Sequence, residues 1–184
     1  SCDGGGPSGG GGPDHEGSAL SSVPLRPGEA PQGLRLDPGG TGPIGVLREI
    51  LPPRARFPNL RPVPDRIKEA FRDGFERAFT DPSGDRAATS SAVRFADPLS
   101  AAAFLAYLHE LPVGGNASAA EEVDAAGLGE EGYGWHIEVP ESESSGFGWR
   151  SGDLVLTLSL AGPIGDAGPE AALELAERID GRLG

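Results

Sequence analysis

One cysteine, one lysine and no methionine occur in this chain of 184 residues. A lone cysteine, Cys2, excludes an intrachain disulfide. It also excludes the zinc sets built on several thiolates. Long apolar runs are missing: no stretch approaches the roughly 18 residues that would read as a membrane-spanning helix. Positive charge is scarce, with 15 basic residues against 28 acidic ones and a net charge of −13. That balance excludes a phosphate-backbone binder, so no nucleic-acid partner is expected. No basic amphipathic stripe is present either, so direct adsorption to an anionic bilayer is not expected.

The shortage of positive charge is local. Between Phe95 and Trp149 there is no lysine or arginine, whereas ten carboxylates fall there: Asp97, Glu110, Glu121, Glu122, Asp124, Glu130, Glu131, Glu138, Glu141 and Glu143. Such a segment is either a solvated acidic face or a surface for a cation or a basic partner.

Glycine and proline are plentiful, at 30 and 18 residues. Residues 1–43 hold 20 of these 48, without a G-x-y period that would signal collagen. This composition predicts a flexible tether over 1–43 and a single domain over 44–184. Leu34 and Leu36 read as a short extended arm within the tether.

Within the domain, Leu47, Ile50 and Leu51 stand at helical spacing before Pro52-Pro53, and Ile67, Ala70 and Phe71 suggest a helical turn or two stopped by Gly74. Residues 75–80 and 88–95 read as a hairpin around Asp81-Pro-Ser-Gly-Asp85. Asp97 then caps a helix over 98–111, with Pro98 at its first position and Ala101, Phe104, Leu105, Leu108 and Leu111 on one stripe. Residues 113–132 read as an acidic linker with a weak helix near 119–126. Trp135, Ile137 and Val139 alternate as a strand, 146–150 form a second, and Leu154, Leu156, Leu158 and Leu160 mark the strongest strand in the chain. A last helix runs from Pro169 to Arg182. The expected fold class is α+β: an antiparallel sheet with amphipathic helices mainly on one face. The order extended–extended–helix recurs over 75–111 and 135–183, which suggests a degenerate ββα repeat.

Catalytic signatures are thin. There is no G-x-S-x-G elbow and no phosphate-cradling glycine loop, and Cys2 lies away from any scaffold that could hold a base against it. No catalytic residue is assigned. His136 and Glu138 share a strand face and Glu141 and Glu143 follow, but no second histidine or cysteine completes a zinc set, so neither metal nor cofactor is expected. The best candidate site is aromatic. Tyr133, Trp135, Phe147 and Trp149 alternate with Gly132, Gly134, Gly146 and Gly148. They read either as packed strands or as a groove for a small hydrophobic or peptide ligand.

Two resemblances add to this reading. Ser1-Cys2 resembles the end of a bacterial lipobox, in which a small residue precedes the cysteine that becomes the lipid-bearing amino terminus. The stretch Phe147-Gly-Trp149-Arg150-Ser-Gly152-Asp153-Leu-Val155, with the terminal helical segment Ala172–Leu183, is similar to a hairpin–helix pattern in actinobacterial exported lipoproteins. The resemblance implies lipid attachment at Cys2, a place on the outer face of the cell membrane or a secreted soluble form, and no family catalytic residues. The resulting expectation is a lipid-anchored cell-surface protein acting as a non-enzymatic binding or structural module. The alternative is an exported hydrolase in which His136 or His109 would meet a serine and a carboxylate. Oligomeric state is not legible in the sequence.

Overall fold

The computed structural model describes residues 19–49, 51, 61–111 and 120–183. Ser1 and Cys2 lie outside the described residues. The elements in chain order are β1 (Arg35–Ile44), α1 (Asp65–Ala70), β2 (Phe71–Thr80), β3 (Ala87–Phe95), α2 (Pro98–His109), β4 (Ala120–Val123), β5 (Glu131–Val139), β6 (Ser142–Ser151), β7 (Leu154–Gly162) and α3 (Pro169–Asp180). The seven strands form one open antiparallel sheet in the order β1-β2-β3-β7-β6-β5-β4. The fold class is therefore α+β, as its alternating strands and amphipathic helices predict.

The leucine run of β7 forms a central strand. Leu156, Leu158 and Leu160 are buried on one face with Ala88 and Ala92 of β3, Phe147 and Trp149 of β6, and Ala172, Leu175, Ala176 and Ile179 of α3. Val155 points the other way, as adjacent strand residues must. It is buried with Val93 and Phe95 of β3, Ile67 of α1, and Ala101, Phe104, Leu105 and Tyr107 of α2. Each large apolar side chain removed from water in these two clusters contributes ~1.5–3 kcal/mol.

This arrangement corrects the expectation of helices mainly on one face. The helices α2 and α3 cover opposite faces, because the central strands are apolar on both sides: Val93, Phe95 and Val155 face α2, while the leucines face α3. It also bears on the suggested repeat. The units β2-β3-α2 and β6-β7-α3 do share an element order, and β3 lies beside β7 antiparallel. A two-fold axis relating the two hairpins would have to be perpendicular to the sheet, and such an axis leaves both helices on the same face. The units therefore match in order but not in hand.

Part of the segment expected to be tether is packed. Residues 19–43 belong to the domain: Leu25 is fully buried in the α3-side core and β1 pairs with β2. Its backbone N–H donates to Ser90 Oγ at 3.3 Å. The guanidinium of Arg182, just past α3, donates to the carbonyl of Val23 at 2.7 Å and pairs with Glu29. Glycine and proline here serve a packed arm, and the register break of β1 falls between Asp37 and Gly42.

Other local expectations separate cleanly. Asp97 caps α2 by accepting from the Ser100 N–H at 2.9 Å, with Pro98 in the first turn. Gly74 does not end a helix; it lies inside β2, where a Cβ would stand 3.0 Å from Ile44 Cβ. The helical spacing at Leu47 yields only a 3-10 turn over Leu47–Glu49. The weak helix expected near 119–126 is instead the edge strand β4, and 112–119 lie outside the described residues. No helix among the described residues is long and apolar enough to cross a membrane.

Candidate functional site

The β5–β6 ribbon carries all four aromatic candidates, and register decides what each can do. Gly132 stands opposite Trp149, Tyr133 opposite Gly148, Gly134 opposite Phe147 and Trp135 opposite Gly146. Every aromatic is thus paired across the strands with a glycine, and the rings of Tyr133, Trp135 and Phe147 lie over the missing side chains. A Cβ on Gly148 would stand 2.6 Å from Tyr133 Cε1, and one on Gly146 2.6 Å from Trp135 Cζ2. Because the side chains alternate, the four rings do not share a face. Phe147 and Trp149 are fully buried beneath α3, whereas Tyr133 and Trp135 are half-buried on the α2 side. A single groove lined by all four is therefore corrected to two layers: two core aromatics, and two partly exposed ones over glycines.

Tyr133 is the aromatic that reaches an open site. Its ring stacks on His109 at the end of α2, centroids 4.6 Å apart. Burial pushes its phenol well above the usual tyrosine range. The residue lies on the wall of a cavity of about 580 Å³ formed by Glu122–Val123 of β4, the connection 124–130, and Glu131–Tyr133 of β5. The connection is tightly fixed. Asp124 Oδ1 accepts from the Ala126 N–H at 2.8 Å. Leu128 and Ala125 anchor it in the core. Gly129, at φ 54°, passes so close to the Arg150 carbonyl that a Cβ would stand 2.2 Å from it.

The cavity is acidic. Its wall contains Glu122, Asp124, Glu130 and Glu131. Arg150 compensates at one side, its Nη1 2.8 Å from Glu130 Oε2 and its Nε 3.6 Å from Glu131 Oε2. The Gly152 N–H donating to Glu130, together with the hydrogen bond and charge of Arg150, holds the Glu130 carboxyl below its ordinary range. Among the described residues, Glu122 and Asp124 have no ion-pair partner. Sequence reasoning noted the acidic segment without finding this cavity, because the signal lies in which carboxylates a short β4–β5 connection brings together.

A second polar group lies further along the ribbon, on the α3 face. Ser145 is completely buried and donates to the Ala167 carbonyl at 2.7 Å. His136 Nδ1 lies 2.9 Å from the same Ser145 Oγ. Since the hydroxyl's single proton is engaged, Nδ1–H must be the donor, and Nε2 is the nitrogen left over. Glu143 is 7% exposed and its Oε1 accepts from the backbone N–H of Gly165 at 2.9 Å and of Ala167 at 2.7 Å. Glu138 stands directly opposite Glu143 in the ladder. His136, Glu138 and Glu143 each bring one ligand-type atom within 4.8 Å of the others.

A histidine and a serine do meet here, as the hydrolase alternative requires, but with the wrong polarity. A nucleophilic serine gives its proton to the histidine and faces substrate. Ser145 instead accepts a hydrogen bond from the histidine and is sealed under the loop at Ala167. His109 stacks on Tyr133 and is distant in role from this group. Cys2 lies outside the described residues.

No protein-family model matches the chain, and no curated protein matches it significantly. Among solved structures, the extracellular domain of PknH from Mycobacterium tuberculosis is similar over 67% of this chain and 71% of that one, at a TM-score of 0.48 and 11% identity.

Proposed function

We propose that the chain is an extracytoplasmic, lipid-anchored binding module whose ligand site is the acidic cavity between β4 and β5. Support for the anchor comes from the sequence: Ser1-Cys2 ahead of a glycine-rich stretch, where two or more acyl chains would supply stable attachment. Support for binding comes from the cavity, about 580 Å³ with Tyr133 at its wall. Four carboxylates against the one guanidinium of Arg150 favour a positively charged ligand, such as an amine or a basic peptide segment. A purely hydrophobic ligand fits this lining poorly.

Two measurements test the reading. Titration of the full chain with spermidine, an arginine-rich peptide and a fatty acid should show saturable binding of the cations only, weakened by E122Q with D124N. Binding of the fatty acid alone would overturn the cavity assignment. Intact-mass measurement of the protein made from its complete gene in a lipidating bacterium should show an acyl mass on Cys2. An unmodified thiol there would overturn the anchor.

A further inference from the structure

We propose that His136, Glu138 and Glu143 form a site for a divalent transition metal of the zinc class, on the α3 face of the β5–β6 ribbon. The three side chains come from one hairpin. His136 and Glu138 lie two apart on β5 and so share a face, and β6 returns Glu143 directly opposite Glu138. One ligand-type atom from each lies within 4.8 Å of the others.

The pairing of Glu138 with Glu143 calls for a cation. Like charges directly opposite in an antiparallel pair are destabilising. Here one of the two, Glu143, is only 7% exposed, so water screens it little. No arginine or lysine among the described residues forms an ion pair with either carboxylate. A bound divalent ion would reverse the repulsion.

The surroundings also hold the ligands as a metal site requires. Metal-binding histidines donate their other ring N–H to a fixed acceptor, which sets the tautomer and ring orientation. His136 Nδ1–H does this toward Ser145 Oγ, itself fixed by the Ala167 carbonyl. Glu143 is held in the same manner: Oε1 takes the N–H groups of Gly165 and Ala167, leaving Oε2 for a ligand. The loop 163–168 thus orients both His136 and Glu143. Glu138 is exposed and can close the last distance by a rotamer change.

Ligand chemistry selects the ion. Calcium and magnesium take oxygen donors, whereas imidazole suits zinc and its first-row neighbours. One imidazole and two carboxylates are donor types that Zn²⁺ accepts. The site is separate from the β4–β5 cavity, whose wall ends at Tyr133 and includes none of the three ligands.

The test is calorimetric titration of the chelator-treated full chain with Zn²⁺ alone. One equivalent should bind, and E138Q and H136A should each weaken binding at least about tenfold. S145A, which frees the Nδ1 proton, should weaken it as well. E122Q with D124N should leave it unchanged, and Ca²⁺ and Mg²⁺ should not compete. Should H136A fail to fold, imidazole nitrogen resonances of the wild-type chain decide. A Zn²⁺-induced shift at Nε2 of His136, with Nδ1 still protonated, supports the site. No saturable Zn²⁺ binding, binding untouched by E138Q, or an unshifted His136 ring would overturn it. In those cases His136 is simply a hydrogen-bonded neighbour of two carboxylates.

Discussion

Trp149 donates its indole N–H to Asp180 Oδ1 at 2.9 Å, tying the fully buried ring of β6 to the last turn of α3. The other oxygen, Oδ2, accepts from the Gly129 N–H at 3.2 Å. One carboxylate thus holds a core tryptophan, a helix end and the wall of the acidic cavity. Leaving a buried indole N–H unpaired costs ~1–3 kcal/mol. Asp180→Ala should lower the unfolding free energy measured in urea by that amount, and Asp180→Asn by less, since its amide oxygen still accepts. The same variant should speed hydrogen exchange at Gly129, because the cavity wall loses its outer anchor.

The interlocked glycines make a sharper prediction. A Cβ on Gly134 would stand 2.5 Å from Phe147 Cε1 and 2.9 Å from the Val123 carbonyl. Neither neighbour can retreat: Phe147 is packed beneath α3 and Val123 is paired in the ladder. Gly134→Ala should therefore cost ~1–3 kcal/mol or more in chemical denaturation. Gly42→Ala, with nothing within 4 Å of the added carbon, should be neutral or stabilise by up to ~1 kcal/mol. A Gly134→Ala protein as stable as the parent would show that the aromatic–glycine pairing contributes no shape constraint.

These glycines also explain what sequence could and could not reveal. The spacing of Tyr133, Trp135, Phe147 and Trp149 marks two strands, but the face each ring takes depends on the hairpin register. That register follows from the tight turn near Pro140, which places Val139 opposite Ser142 and hence Gly148 opposite Tyr133. Periodicity found α2, α3 and β7, where apolar stripes are long and caps such as Asp97 are unambiguous. It missed the packing of residues 19–43 because a Gly/Pro-rich arm has no period. Leu25 is buried there in a core built by distant parts of the chain, and its N–H donates to Ser90, 65 residues away. The candidate ion site was half visible in His136 and Glu138, while Glu143 joins them only through cross-strand pairing.

Glu76 should make the protein more stable at mildly acidic pH. Burial pushes its carboxyl up from 4.5 to about 6. Between those values the folded chain binds more protons than the unfolded one, so stability falls as pH rises through that window. Above about 6 the ionised carboxylate is held in a half-buried place on β2. Glu76→Gln removes the charge. Its melting temperature should exceed that of the parent at pH 7.5, and the gap should close by pH 4. A gap that stays constant across that range would mean that the titration of Glu76 is not coupled to folding.

The pairing of Glu29 with Arg182 predicts the opposite slope. Burial alone would raise the Glu29 carboxyl, but the hydrogen bond from Arg182, the Arg26 N–H and both guanidinium charges bring it below 4.5. A depressed folded value means that the stabilisation is present above the unfolded value near 4.5 and is lost as pH falls through the folded one. Arg182→Ala removes this coupling and also the donor to the Val23 carbonyl at 2.7 Å. It should cost about 1–2 kcal/mol at pH 7, with a smaller deficit at pH 3. The residual deficit at low pH measures the contacts to Val23 and Pro24, which do not titrate. Limited proteolysis should report the same event locally: the arm over 19–34, docked on the α3 face through Leu25, should become cleavable in the variant at neutral pH while the sheet stays intact. Resistance equal to the parent would show that the buried Leu25, and not the ion pair, holds the arm in place.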